Sequence, residues 1–142
     1  DEKKHVDKIV FTNIDTLLID RCNYFNKITN LNQNEGLIDV FDGDSHEYSY
    51  AKIQNEKVIK VVDRLPISQY ACSGLYGFGS GLLFFQKAKE LLSQNNKHSF
   101  TEIYNKYLQE ENSVYFNHNS NKNQTIVLGT PEEYVTNLHK IS

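Results

Sequence analysis

The carboxylate of Asp15 lies just past a β-branched and aromatic run, Ile9-Val10-Phe11-Thr12, within the segment Lys8 to Asn13. Such a run reads as a buried strand, and open α/β sheets place ligands at strand ends. Position alone leaves two readings for Asp15: a metal ligand in phosphate chemistry, or a cap on the following helix. Asp63 and Arg64 stand side by side at the end of another strand-like run, just before Pro66. There the carboxylate can hold hydroxyls and the guanidinium a phosphate, with a surface ion pair as the alternative. Gly74, Gly77, Gly79 and Gly81 cluster, yet they lack the Lys-Ser/Thr of a P-loop and fit no strand-to-helix G-x-G-x-x-G. They read as glycines that let the chain leave a strand or approach a ligand closely. The histidines are scattered at positions 5, 46, 98, 118 and 139, and neither Cys22 nor Cys72 has a C-x-x-C neighbour, so no zinc pattern exists. Ser73 lacks a G-x-S-x-G context and Cys72 a paired His signature, which leaves nucleophilic hydrolases unsupported. Asn123-Gln124-Thr125 matches a glycosylation acceptor and carries no weight without a secretory signal.

These residues need elements to position them. Lys8 to Asn13 is predicted as a strand. Leu18, Cys22, Phe25 and Ile28 then fall at helical spacing and predict an apolar stripe before the polar exit Asn30 to Asn34. Leu37 to Phe41 reads as a strand closed by the turn Asp42-Gly43-Asp44. Tyr48 to Ile53 and Lys57 to Val62 read as a hairpin around Gln54-Asn55-Glu56, and Pro66 ends that pairing because it has no N–H to donate. Tyr70 to Phe78 is a further strand, and Ser80 to Ser93 a helix with Phe84, Ala88, Leu91 and Leu92 on one face. Ser99-Phe100-Thr101-Glu102 matches a capping box. Phe100, Ile103, Tyr104, Tyr107 and Leu108 recur behind it at the spacing of a packed helix. Val114 to Phe116 and Thr125 to Leu128 read as strands around a mobile polar loop, Asn117 to Gln124. Thr130-Pro131-Glu132-Glu133 opens a last helix with a Thr cap, Pro in the first turn and acid at the positive dipole end.

The 142 residues are 39% hydrophobic and 23% charged, with 15 Lys+Arg against 18 Asp+Glu and a formal net charge of −3. A chain of this size buries roughly 68–70% of its unfolded surface and holds a core without staples. Both cysteines are accordingly expected as packed thiols in a reducing, cytoplasmic setting. No apolar run approaches a membrane span, and the near-neutral charge argues against a nucleic-acid polymer as partner. With no repeat and no linker, residues 1–142 are expected to form a single α/β domain.

Read together, three segments resemble the second half of the sugar-phosphate nucleotidyltransferases with a GT-A-like Rossmann fold. Ile9 to Asp15 is similar to that family's strand ending in a magnesium-binding Asp. Val62-Asp63-Arg64-Leu65-Pro66-Ile67-Ser68, followed by Ala71-Cys72-Ser73-Gly74-Leu75-Tyr76-Gly77-Phe78, resembles its Glu-Lys-x-Pro stretch and its S/T-G-I/L-Y-x-F strand. Leu128-Gly129-Thr130-Pro131-Glu132-Glu133 is similar to its L-G-T-P-E-E/D. The resemblance implies a mixed, mostly parallel sheet flanked by helices. It implies a reaction in which a sugar 1-phosphate or related phosphorylated small molecule attacks the α-phosphate of a nucleoside triphosphate and expels pyrophosphate. The products would be nucleotide sugars and related activated head groups, precursors of cell-surface polysaccharides. By the same resemblance Asp15 would hold Mg²⁺, Asp63 would accept hydrogen bonds from the acceptor's hydroxyls, Arg64 would contact its phosphate, and Gly74 would let the backbone approach it.

The chain departs from the family in two places. The Gly-rich G-x-G-x-R loop that binds the triphosphate is absent, so the resemblance covers the second half only and implies pairing with a missing N-terminal half or with another copy. Where many members carry a second metal-binding Asp, this chain has Val127, which cannot ligate a metal. A non-catalytic domain of the same fold that binds a sugar phosphate or assembles with a protein is therefore the alternative. Val10 to Leu18 also loosely echoes the D-x-D-x-T motif of haloacid-dehalogenase-like phosphatases. Asn13 stands where their nucleophilic Asp belongs, and an amide cannot form the aspartyl-phosphate.

Overall fold

A computed structural model describes residues 7–94 and 99–142. In chain order the elements are β1 (Ile9–Thr12), β2 (Thr16–Leu18), α1 (Cys22–Thr29), β3 (Gly36–Asp42), β4 (Ser49–Gln54), β5 (Lys57–Asp63) and β6 (Tyr70–Phe78). They continue with α2 (Gly81–Gln94), α3 (Phe100–Gln109), β7 (Val114–Asn119), β8 (Thr125–Val127) and α4 (Pro131–Ile141). Six strands form one sheet in the order β5-β4-β6-β3-β7, with β1 also paired to β6, and β2 and β8 form a separate two-stranded ribbon.

The sheet is mixed, as the α/β reading requires, but it is mostly antiparallel rather than mostly parallel. Only β3 and β7 run parallel; β1–β6, β3–β6, β4–β5 and β4–β6 are antiparallel. Connection length accounts for the β4–β5 pair, and the β1–β6 and β3–β6 pairs join segments distant in the chain. Short links such as the two-residue turn between β4 and β5 can join only antiparallel neighbours, whereas a parallel partner requires a long crossover. That turn places Asn55 and Glu56 at φ 50° and 62°, the left-handed pair that matches the twist of a tight hairpin. The one parallel pair, β3 and β7, is separated in the chain by β4, β5, β6, α2 and α3.

α3 lays the predicted face, Ile103, Tyr104 and Tyr107, against the sheet, where Phe78 is wholly buried among Phe84, Tyr104 and Tyr107. Ring centroids lie 4.6 Å apart for Phe78–Phe84 and 4.7 Å for Phe78–Tyr104. The Tyr104 hydroxyl donates to the carbonyls of Leu37 and Gly77, so the ring is buried without an orphaned polar tip. Half of the expected Ser99 capping box forms: Ser99 Oγ accepts from Glu102 N at 3.4 Å and donates to Asp63 rather than serving a reciprocal box. Glu102 Oε2 is buried without a partner. In α2, Phe84 is buried as expected, and Leu92 is exposed.

The helical stripe expected before α1 is broken. Leu18 belongs to β2, Asp20 turns the chain at φ 53°, and the buried face of α1 is Tyr24 and Ile28. Phe25 is 49% exposed, and Cys22 is exposed instead of packed. Periodicity fitted a helix through that segment; the left-handed turn divides it and resets the helix phase. Cys72 is buried as expected, and desolvation pushes its thiol pKa well up. The polar segment Asn117 to Gln124 does not begin as a loop, because β7 runs to Asn119 and Asn117 is buried. α4 carries the full capping box between Thr130 and Glu133 with Pro131 at its start, yet none of its residues is buried. No helix among the described residues is long and apolar enough to cross a membrane.

Candidate functional site

The C-terminal end of β1, the ribbon and the middle of β6 meet around a cavity of about 220 Å³. Asn13 and Asp15 line it from the turn between β1 and β2 and Thr16 from the start of β2; Val127, Gly129 and Thr130 line it from the end of β8; Cys72, Ser73 and Tyr76 line it from β6. Tyr48, Ser49, Glu47 and Glu133 complete the wall.

Local bonding explains why Asp15 stands there. The Asn13 amide donates to the Gly74 carbonyl at 2.9 Å, which anchors the turn to β6, and the Leu128 amide donates to the Asp15 carbonyl at 2.8 Å. Gly129 gives the Asp15 side chain its room: a Cβ there would lie 2.7 Å from Asp15 Oδ2. Gly74 adopts φ +91°, and a Cβ on it would lie 2.6 Å from Asn13 Nδ2. Gly74 thus permits the close approach of Asn13, and it occurs where the edge of β6 passes from β4 at Ala71 to β1 at Leu75.

The structure brings Asp15 and Val127 together, since Thr16 pairs with Val127 in the ribbon. Asp63 and Arg64 lie outside the cavity wall, at the end of β5. Asp63 accepts from Ser49 Oγ at 2.6 Å, from Thr101 Oγ1 at 2.5 Å and from Ser99 Oγ at 3.2 Å, so its carboxylate ties β4 and the start of α3 to β5. Arg64 is exposed at φ 54°, and its amide donates to the Tyr48 carbonyl at 3.0 Å. Both residues reach the wall through its own members, Ser49 and Tyr48. Opposite them, Tyr48 donates its hydroxyl to Glu133 Oε1 at 3.1 Å, and Glu133 Oε2 accepts the Thr130 amide at 3.0 Å. Burial, with the Glu133 carboxylate beside it, pushes the Tyr48 pKa up and keeps this phenol a donor.

For a metal ion the donor set is thin. Among the described residues no three His, Cys, Asp or Glu side chains converge on one point. Glu133 is committed to capping α4, and Val127 is apolar, which leaves the carboxylates of Asp15 and Glu47 in the cavity wall. Mg²⁺ is bound in many phosphate-handling sites by one or two carboxylates together with substrate phosphates and water. The residues present fit that mode.

Sequence reasoning missed a buried polar network behind this wall. Asp39, wholly buried on β3, accepts from Arg21 Nε at 2.9 Å, from Ser73 Oγ at 2.6 Å and from Asn117 Nδ2 at 2.9 Å. Arg21 also donates through Nη1 to the carbonyls of Ile19 at 2.7 Å and Gln124 at 2.8 Å, and through Nη2 to Thr125 Oγ1. One signal was available in the sequence: Asp39 interrupts the apolar run Leu37 to Phe41, and a carboxylate inside a buried strand requires a partner.

No protein-family profile matches the chain, and no curated protein matches it. Solved structures do. A nucleoside-diphosphate-sugar pyrophosphorylase from Vibrio cholerae RC9 superimposes with a TM-score of 0.73 at 22% identity, over 93% of this chain and 56% of its own. A protein described as a glucose-1-phosphate thymidylyltransferase from Bacillus anthracis, in complex with sucrose, superimposes with a TM-score of 0.71 at 22% identity, over 93% of this chain and 53% of its own. The chain has a nucleotidyltransferase-like fold. It spans about half the length of these structures, which accords with correspondence to one half of such a domain.

Proposed function

We propose that this chain is the acceptor-binding half of a nucleotidyltransferase. The complete protein would move a nucleotidyl group from a nucleoside triphosphate to a sugar phosphate or related phosphorylated small molecule. The observation that supports this reading is the convergence of Asp15 with the Leu128-Gly129-Thr130 turn and the Ser73–Tyr76 strand at one cavity, in a fold shared with sugar-nucleotide enzymes. In the reaction an oxygen of the acceptor phosphate forms a bond to the α-phosphorus, the bond from that phosphorus to the bridging oxygen breaks, and pyrophosphate carries away the electron pair. Such a step needs in-line positioning and charge neutralisation more than a covalent nucleophile. Mg²⁺, bound beside Asp15, would neutralise phosphate charge. Ser73 donates its proton to Asp39, so it offers lone pairs to a hydroxyl of the acceptor. Gly74 seats Asn13 at the cavity, and Asp63 and Arg64, which lie outside its wall, would bear on the acceptor through the wall residues they hold, Ser49 and Tyr48.

The triphosphate-binding half would come from another polypeptide segment. β1 has β6 as its strand partner on one edge, and among the described residues no strand pairs with the other. An open edge is a template for a further strand. Apolar residues of α4, Tyr134, Val135, Leu138 and Ile141, are likewise exposed and free to be covered. Val127 supports the second reading, a non-catalytic sugar-phosphate-binding domain, because it removes a carboxylate from the place beside Asp15.

Pyrophosphate release separates the readings. Measured with four nucleoside triphosphates and a panel of sugar 1-phosphates, release is expected to be absent from the 142-residue chain and present once a nucleotide-binding half is joined to it. Robust release by the chain alone overturns the need for a completing half. No release from the completed protein, with sugar-phosphate binding retained, overturns the transferase reading in favour of the binding domain.

A further inference from the structure

The ribbon beside Asp15 is short; Ile126 is buried, Leu18 packs against the Tyr24–Ile28 cluster, and Asn137 Nδ2 donates to the Val127 carbonyl at 3.1 Å. The ribbon consists of three residue pairs, Thr16–Val127, Leu17–Ile126 and Leu18–Thr125, and an isolated two-stranded ribbon is marginally stable in water. At its cavity end it is tied to the sheet by the Asn13–Gly74 bond. At its far end the ties come from Arg21, 6% exposed, whose guanidinium reaches Ile19 beyond one strand and Gln124 and Thr125 at the start of the other. The same side chain is anchored to wholly buried Asp39, which Ser73 and Asn117 fix from β6 and β7.

We propose that Arg21 is a positioning residue: it clamps the β2–β8 ribbon to the main sheet and so determines where Asp15 stands in the cavity. This rests on the reading of Asp15 as the metal-contacting carboxylate. The ribbon is about 10 Å long, so an angular swing at the clamp is carried to the opposite end. Asp15 and Leu128 are bonded across that end and move as one. The guanidinium suits the task because its planar fork makes several bonds in fixed directions, whereas a lysine ammonium is a point charge on a flexible stem. Asp39 gives the fork a fixed base on β3, since Ser73 of β6, Asn117 of β7 and Arg21 hold both of its oxygens.

Two variants test this. Arg21→Lys keeps a positive charge beside Asp39 and loses the fork; Thr125→Val removes one ribbon contact and leaves the Arg21–Asp39 pair intact. Amide hydrogen exchange at Ile19 and Leu128 is expected to quicken by on the order of tenfold in Arg21→Lys, and by less in Thr125→Val, with the amides of β3 and β6 unchanged, as for local opening of one unit. Unchanged ribbon exchange in the two folded variants overturns the clamp, and if Arg21→Lys does not fold, Thr125→Val decides alone. The second measurement uses Mn²⁺ with inorganic pyrophosphate as the probe and paramagnetic broadening of the Asp15 and Gly129 amide signals as the readout. Broadening is expected in the parent and is expected to weaken in Arg21→Lys. Identical broadening in both overturns the positioning role. No broadening in the parent overturns the metal reading of Asp15, and the exchange data still decide the clamp.

Discussion

Alternate residues of the same three strands build two faces of opposite character. On one face Ile38 and Val40 of β3, Cys72 and Phe78 of β6 and Val114 of β7 pack under α2 and α3 in an apolar, largely aromatic core. On the other, Asp39, Ser73 and Asn117 from those strands join Arg21 in a hydrogen-bonded network under the ribbon. Apolar burial is non-directional and makes the first face stable over a range of arrangements. Directional bonds in a low-dielectric interior make the second face specific, and an unpaired member there is costly. The cavity draws on both faces: Ser73 of the network lines it, and Cys72 and Tyr76 reach it from the apolar side. Apolar packing contributes on both faces, since Tyr24, Ile28, Leu31, Leu37 and Leu75 form a smaller core beside the network, whereas the directional bonding belongs to the second face.

The largest expected effect sharpens that division. Phe78→Ala should lower unfolding free energy by about 3–5 kcal/mol, as for large aromatic truncations in packed cores. Urea denaturation measures it, and an intact arrangement of the Asp15 turn in the surviving folded fraction, seen by amide shifts, would keep the two faces separate. Next in size, Asp15→Asn in the completed protein should reduce turnover at least about a hundredfold, comparable to removing one group that stabilises transition-state charge. Stability should be almost unchanged, since Asp15 is exposed. Near-parental turnover would return Asp15 to a turn residue.

Val127→Asp tests the cavity by addition. A second carboxylate next to Asp15 should strengthen Mg²⁺ or Mn²⁺ binding in a calorimetric titration and, without metal, raise the pKa of one of the two acids. If metal binds the folded variant no better than the parent, Val127 does not face the metal position.

The smallest expected effect lies on the aromatic side, where Lys87, 4% exposed, reaches Glu110 between α2 and α3. The hydrogen bond from Lys87 holds the Glu110 carboxyl below its ordinary value. A pKa depressed on folding adds stability above the unfolded value, and that stability is lost as pH falls through the folded one. Melting temperature should therefore drop below about pH 4.3, the ordinary glutamate value. The drop is small because solvent screens a carboxylate whose side chain is 42% exposed, and Glu110→Gln should flatten it by removing the titrating group.

Local chemistry determined much of this in advance. The aromatic periodicity of α3, the β6 run from Tyr70 to Phe78, the Asn55-Glu56 hairpin and the Thr130-Pro131-Glu133 helix start depend on neighbours within a few residues, and each was legible. Asp15 was legible as a carboxylate just past a strand, and Gly74 and Gly129 stood within segments that resemble family motifs. Strand direction depended on which distant segments met. The phase of α1 depended on the left-handed turn at Asp20, and the burial of Asn117 on a partner at Asp39. Arg21 carried no signal in the sequence, because its partners lie 18 and 104 positions away. Directional bonds between residues so far apart leave no periodic trace in the chain, and only the folded arrangement of β3, β6, β7 and the ribbon brings them within reach.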